Sequence, residues 1–352
     1  MEELAGKIYE IIKDYQCDYP NRKFEISVAH IIEWANQFDE DAEFVLSELL
    51  HILPEIYISK EKAKFLLKQR LLEYQEFYKY NSMEEFIAKT IFIDVQKEEK
   101  SQKEILFLID EILKTDFKID SQQYTLELKK HFIYFDDILA TGGNIFRDLS
   151  YWFNEEEKGI KNIDKVLKKE ITISISLFCS HQLGYGNVIY QFMKTFDDKL
   201  QKLILLGYDY KIENQVKWEK QRLNCTYPIK NQPKEVAEYL SSLNAENISV
   251  PAFRPDRLPI TETFFSNSSN RIKFENILVE KGLTLINKIK SESPDPRKRP
   301  LGDTVKSHGT LGTGTLFFTW RNISNTCPLV FWWDVAGHNW IPLFFVKNRG
   351  SN

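Results

Sequence analysis

Two adjacent carboxylates, Asp136 and Asp137, follow the apolar run Phe132-Ile-Tyr-Phe135 and precede, after a short apolar spacer, the turn Thr141-Gly142-Gly143-Asn144. Carboxylates at a strand end suit the vicinal hydroxyls of a sugar, from which they accept hydrogen bonds. A Thr-Gly-Gly turn opening a helix suits an anion, because the first N–H groups of the helix point outward at the positive end of its dipole. Together these residues describe a cradle for a ribose phosphate. The plainer alternative is a solvated strand end with an ordinary turn, in which glycine supplies positive φ and Asn144 tolerates the left-handed region.

For such a cradle to exist, a buried strand must deliver the acids and a helix must open just after the turn. The sequence predicts both, with Phe132 to Phe135 as the strand and Ile145 to Phe153 as the helix. Around them, from about residue 88, apolar strands alternate with amphipathic helices. Strands are predicted over 91–95, 171–178 and 203–206, with helices over 101–115 and 186–196. That rhythm predicts an α/β fold with a parallel twisted sheet covered on both faces, in which ligands collect at the carboxyl ends of the strands. His181 and Tyr185, in the predicted loop 180–186, would share that edge and face a base, or serve structure alone.

The flanks differ in character. Helical spacing over 3–15, 26–37 and 61–78 predicts an N-terminal helical module, residues 1–85, ahead of a sheet core at 86–250. Residues 251–352 carry a predicted helix at 271–289, then Gly309, Gly312 and Gly314 before two predicted strands, 316–320 and 329–333. This reads as a C-terminal β-rich extension whose glycines form a lid or hinge, and whose Trp332, Trp333 and Trp340 pack in the core and at its edge. The glycine cluster precedes a strand instead of a helix, which excludes a dinucleotide fingerprint.

Composition bounds the function classes. The chain has 352 residues, 43% of them hydrophobic, enough for a large core, while 47 basic and 51 acidic residues leave a net charge of −4. That balance argues against a whole-surface polyanion binder and leaves only local basic patches. Cys17, Cys179, Cys225 and Cys327 have no paired spacing and read as reduced thiols of a cytoplasmic protein. No apolar run approaches membrane-spanning length, and the first residues lack the charge and apolar pattern of an export signal.

The stretch 132–144 resembles the phosphoribosyl pyrophosphate (PRPP) motif of type I phosphoribosyltransferases: four apolar residues, two acids, an apolar spacer and Thr-Gly-Gly-Thr. Asn144 is the one departure, replacing a hydroxyl by an amide that can still donate. With its helical front and the tail from Phe318 to Phe344, the chain also resembles the phosphoribosyltransferase-like proteins of bacterial conflict and antiviral systems. The resemblance implies a phosphoribosyltransferase-type sheet and a site for PRPP or a related ribose-5-phosphate nucleotide, at which an N-glycosidic bond is made or broken. It implies that Asp136 and Asp137 are the catalytic pair, holding the sugar hydroxyls directly or through Mg2+, and that Thr141, Gly142, Gly143 and Asn144 hold the 5′-phosphate. It places the pyrophosphate-gripping loop one strand earlier, where Lys100, Ser101 and Gln102 would supply a cation, a hydroxyl and a helix N-terminus, or form a solvated loop capped by Ser101. It further implies an antiviral effector with a partner protein or nucleic-acid-containing complex. A non-catalytic nucleotide sensor or partner-binding module with a vestigial site stays open beside this.

Overall fold

The computed structural model describes residues 1–19, 25–97, 100–124, 128–217, 221–243, 250–289 and 295–346. Its contacts gather the chain into two units, one made of Met1–Lys60 with Ile212–Asn352 and the other of Glu61–Lys211. The first and last parts of the chain thus share one unit, and the middle forms the other.

The first unit begins with three helices, α1 (Glu2–Ile12), α2 (Val28–Asn36) and α3 (Ala42–Ile56), and the two-residue strand β1 (Tyr57–Ile58). In α1 the buried residues Ala5, Ile8 and Ile12 recur at three and four positions, so one stripe faces inward. Ser27 caps α2 by accepting from the His30 N–H at 3.2 Å, satisfying a donor that the helix start would otherwise leave unpaired.

The second unit carries the sheet. After α4 (Lys60–Phe77) and α5 (Met83–Ala88) come β2 (Thr90–Ile93), α6 (Ser101–Ile112), β3 (His131–Leu139) and α7 (Gly143–Asn154). A small hairpin of β4 (Glu156–Glu157) and β5 (Ile160–Lys161) leads to α8 (Asn162–Leu167), then β6 (Thr172–His181), α9 (Gln182–Thr195), α10 (Leu200–Leu203) and β7 (Ile204–Ile212). The four long strands lie in the order β2-β3-β6-β7, with β2, β3 and β6 parallel. Alternation along β3 and β6 divides the faces. Tyr134, Ile173, Ile175 and Leu177 pack with Leu149, Trp152 and Phe153 of α7 and with Val188 and Phe192 of α9 in one buried cluster. On the other face Tyr78, just past α4, stacks on His131 at 3.8 Å and hydrogen-bonds Ser174 at 2.9 Å. Salt bridges Lys64–Glu111 and Lys68–Asp116 tie α4 to α6 and the turn after it.

The α/β sheet with helices on both faces is as the sequence predicts, with two changes of boundary that matter. Strand β3 runs on to Leu139, so the acids lie inside the strand. Helix α9 begins at Gln182, so the predicted loop 180–186 is the end of β6 and the first turn of α9. His181 is wholly buried there, and burial pushes its imidazole down to about 3, which makes it a neutral core residue instead of a base-facing one.

The chain ends with α11 (Lys234–Ser242), α12 (Ser268–Ile286) and β8 (Phe318–Thr319), which pairs in parallel with β1. The expected β-rich extension is not what forms. Among the described residues from 250 onward β8 is the single strand, and the predicted strand 329–333 holds instead a 3₁₀ turn, Leu329–Phe331. Its carbonyls are met without a ladder: that of Leu329 accepts the N–H groups of Trp332 and Trp333 at 3.0 and 2.8 Å, that of Phe331 the Phe344 N–H at 2.9 Å, and that of Val330 the indole N–H groups of Trp34 and Trp340 at 2.9 and 3.0 Å. Gly312 and Gly314 are no hinge either. A Cβ on Gly314, at φ +67°, would stand 2.0 Å from the Thr226 carbonyl oxygen, and one on Gly312, at φ +138°, would stand 2.4 Å from the Leu301 carbonyl carbon. They are places where two backbones cross in contact. Nearby, a buried ion network of Arg254, Glu262, Arg271 and Glu275 joins α12 to the segments before it.

Candidate functional site

Strand β3, the turn after it and the first turn of α7 form the site. Gly142 caps α7 in the left-handed region at φ +87°, a conformation that favours glycine. Behind the turn stands α9: a Cβ on Gly142 would lie 3.0 Å from the Gly184 carbonyl oxygen, and a Cβ on Gly184 only 1.9 Å from that of Ala140. The turn is therefore pressed against a glycine on the next helix. On its other side Gly143 would put a Cβ into open space, with nothing within 4 Å. One wall is closed by backbone contact and the other is open, at the start of a helix whose dipole favours anions.

Asn144 and Arg147 furnish the open side. Both are exposed, and Arg147 Nη1 donates to Asn144 Oδ1 at 3.2 Å. That bond turns the amide's oxygen toward the guanidinium and leaves its NH2 end as the donor. Arg147 also grips the buried Asp148 through Nε and Nη2, both to Oδ1, at 3.0 and 2.8 Å. Thr141 is half-buried in the turn.

The two acids of β3 are not equivalent. Asp136 is 5% exposed, and its carboxylate accepts from four protein donors. Ser101 Oγ and the Asp137 N–H reach Oδ1 at 2.5 and 2.9 Å, while Gln96 Nε2 and Tyr134 Oη both reach Oδ2 at 3.1 Å. Burial, and then the adjacent Asp137 charge, push its carboxyl well above the usual carboxylate range. Asp137 is half-buried, with Oδ1 accepting the Ile138 N–H at 2.8 Å, and is the more accessible carboxylate. Both acids were expected to hold the sugar hydroxyls or a metal; Asp136 is instead buried and committed to protein donors, which leaves Asp137 as the more exposed of the pair.

The residues expected to grip pyrophosphate divide in the same way. Lys100 is exposed at the N-cap of α6. Ser101 does not cap that helix, since its hydroxyl is on Asp136. Gln102 is wholly buried: its Oε1 accepts the N–H groups of Val95 and Gln96 at 2.9 and 3.0 Å, and its Nε2 donates to the Phe135 carbonyl at 3.3 Å. Its amide serves the backbone and is not presented to a ligand, a correction that stems from its place on the inward stripe of α6 with Ile105 and Ile109.

Four residues of the site were not among those singled out from the sequence: Gln96, Tyr134, Asp148 and Gly184. Asp148 and Tyr134 carried a usable signal. Asp148 falls in the apolar stripe of α7 with Ile145, Leu149 and Trp152, and an acid there needs buried partners. Tyr134 precedes Asp136 by two positions, on the same strand face. Its hydroxyl reaches Asp148 Oδ2 at 2.9 Å as well as Asp136, and Gln96 Nε2 reaches Asp148 Oδ2 at 3.0 Å.

Among the described residues no three His, Cys, Asp or Glu side chains converge as a metal cage, and no helix is long and apolar enough to cross a membrane. Magnesium commonly relies on one or two carboxylates plus the phosphates of its ligand, and an accessible Asp137 on the strand that leads into the glycine turn fits that mode. A family model described as PRTase-CE matches residues 31–346, which takes in every element of the site. No protein of curated function matches the sequence.

Proposed function

Because the chain belongs to the PRTase-CE family, a phosphoribosyltransferase-like group, we propose that the cradle of residues 136–144 binds PRPP or a related ribose-5-phosphate nucleotide and makes or breaks its N-glycosidic bond. The observation that carries this reading is the turn itself, closed against Gly184 behind and open at Gly143 in front. A 5′-phosphate would lie against the N–H groups that open α7, with the Asn144 amide and Thr141 hydroxyl as further donors. Asp137 would accept the sugar hydroxyls, and the exposed Lys100 would meet the negative charge of a pyrophosphate. A Mg2+ ion arriving with the ligand would be held by Asp137 and the ligand's own oxygens, and would neutralise charge on the departing pyrophosphate. The protein's own share of catalysis is then positioning and electrostatic support, with no protein nucleophile. A role as an antiviral effector with a partner protein or nucleic-acid-containing complex belongs to the same proposal.

A second reading is favoured by one feature, the commitment of Asp136 to four protein donors. With a single accessible acid, the site would suit a nucleotide-sensing or partner-binding module that binds without turnover. The two readings separate in one assay, in which purified protein is incubated with PRPP, Mg2+ and a panel of bases and nucleotides while pyrophosphate and free base are followed. Turnover that Asp137→Asn abolishes while the melting temperature holds supports the enzyme. Saturable PRPP binding without pyrophosphate release supports the sensor, and turnover retained in Asp137→Asn removes the assigned role of that carboxylate.

A further inference from the structure

A half-buried side chain that the proposed chemistry does not use lies just past β2. The carboxamide of Gln96 stands between two buried carboxylates on different elements, Asp136 of β3 and Asp148 of α7, at 3.1 and 3.0 Å, and contacts the Tyr134 hydroxyl at 2.8 Å. Its own backbone N–H is fixed by Gln102 at 3.0 Å, so the amide is held at both ends. Donor counting makes this group hard to replace. Tyr134 has one hydroxyl proton for two carboxylates, and only the two N–H bonds of Gln96 allow each Oδ2 a further donor. Without them two buried acceptors would compete for one proton, a cost charged to whichever orientation leaves one of them bare.

The consequence reaches Asp137 through the main chain. Asp136 Oδ1 accepts the Asp137 N–H at 2.9 Å, so the acid clamped by Gln96, Tyr134 and Ser101 in turn fixes the backbone that carries the accessible carboxylate. Ser101 acts on the same Oδ1 from α6. We propose that Gln96 is a positioning residue for sugar recognition: by clamping Asp136 against Asp148 it sets the direction of the Asp137 carboxylate, and with it the preference for ribose over 2-deoxyribose in the phosphate-bearing sugar. This rests on the cradle reading and adds to it the residue that fixes which sugar is taken. Gln96 does not touch the ligand.

The test measures affinities of the full chain for ribose 5-phosphate and 2-deoxyribose 5-phosphate by titration calorimetry. A hydrogen bond to a charged group implies that the unaltered protein prefers the ribose form by roughly 10- to 100-fold. In Gln96→Leu that preference falls below about threefold while affinity for the deoxy sugar changes by less than about threefold, because Gln96 bonds to none of the groups assigned to the 5′-phosphate. Tyr134→Phe removes the other donor shared by the two acids and gives an intermediate preference. A residue that served stability alone would weaken both sugars equally along with the melting temperature, and that result overturns the inference. So does an unchanged preference in Gln96→Leu. If Gln96→Leu fails to fold, Tyr134→Phe decides, and an unchanged preference there is equally fatal. Binding of neither sugar by the unaltered protein sinks the cradle reading and this inference with it, whereas binding with an unaltered preference in the variants sinks this inference alone.

Discussion

The chain has two conspicuous glycine groups, and they do opposite things. Gly142 and Gly143 stand where a strand turns into a helix, and Gly143 faces open space. Gly312 and Gly314 stand where backbone meets backbone, with no room for a side chain. In one place glycine leaves open space at the start of a helix, and in the other it lets the chain approach itself. Spacing alone does not distinguish the two, but the segment C-terminal to each group does. A helix beginning at Gly143 supplies N–H groups and a dipole, whereas the segment after Gly314 supplies buried aromatic packing.

A graded series of substitutions sharpens that contrast. Gly314→Val should be the most damaging, because it combines positive φ with a Cβ 2.0 Å from a backbone carbonyl. Overpacking and backbone strain together suggest a loss of about 3–5 kcal/mol in urea unfolding. A loss under about 1 kcal/mol would mean the crossing is loose and would revive a hinge. Gly184→Ala comes next, at about 2 kcal/mol, since its Cβ would lie 1.9 Å from the Ala140 carbonyl without positive φ. Unlike the first, it should also weaken ligand binding by displacing the turn, and a variant that binds normally would show that α9 does not brace the cradle. Gly207→Ala should cost less than about 1 kcal/mol, because the atom it meets at 2.8 Å is the end of the Arg70 side chain, which can move. Gly143→Ala should leave stability unchanged or raise it by up to about 0.5 kcal/mol, as nothing lies within 4 Å of the new methyl group. A clear loss of stability there would close the open side on which the site depends.

The sheet was legible because its signals are local. Runs such as Ile171 to Phe178 have strand composition, and the apolar stripe of α7 has helical spacing, so the order of elements emerged from periodicity. The strand, glycine turn and helix over 131–154 were legible for the same reason, being one continuous stretch. Their support was not. Gln96, Asp148 and Gly184 lie 40, 12 and 48 residues from Asp136 by their numbers in the sequence, and only folding brings the first two within hydrogen-bond reach of its network. Gly184 looked like part of a turn because glycine usually is, yet it lies inside α9 at a point of close approach. The tail misled for a different reason. Leu329 to Trp333 has the apolar composition of a strand, but Pro328 lies just before it, its Leu329 carbonyl closes a turn on Trp332 and Trp333, and two indoles take the Val330 carbonyl, so the residues are buried without a ladder. That the first 60 residues share a unit with those after 211 left no mark on local pattern at all.

One measurement goes to the centre of this account: calorimetric titration of PRPP, with Mg2+, into the unaltered protein and into Gly143→Val. The account predicts saturable binding by the unaltered protein and at least a tenfold loss, about 1.4 kcal/mol, in the variant at unchanged melting temperature. Equal binding by both proteins, or none by either, would contradict it.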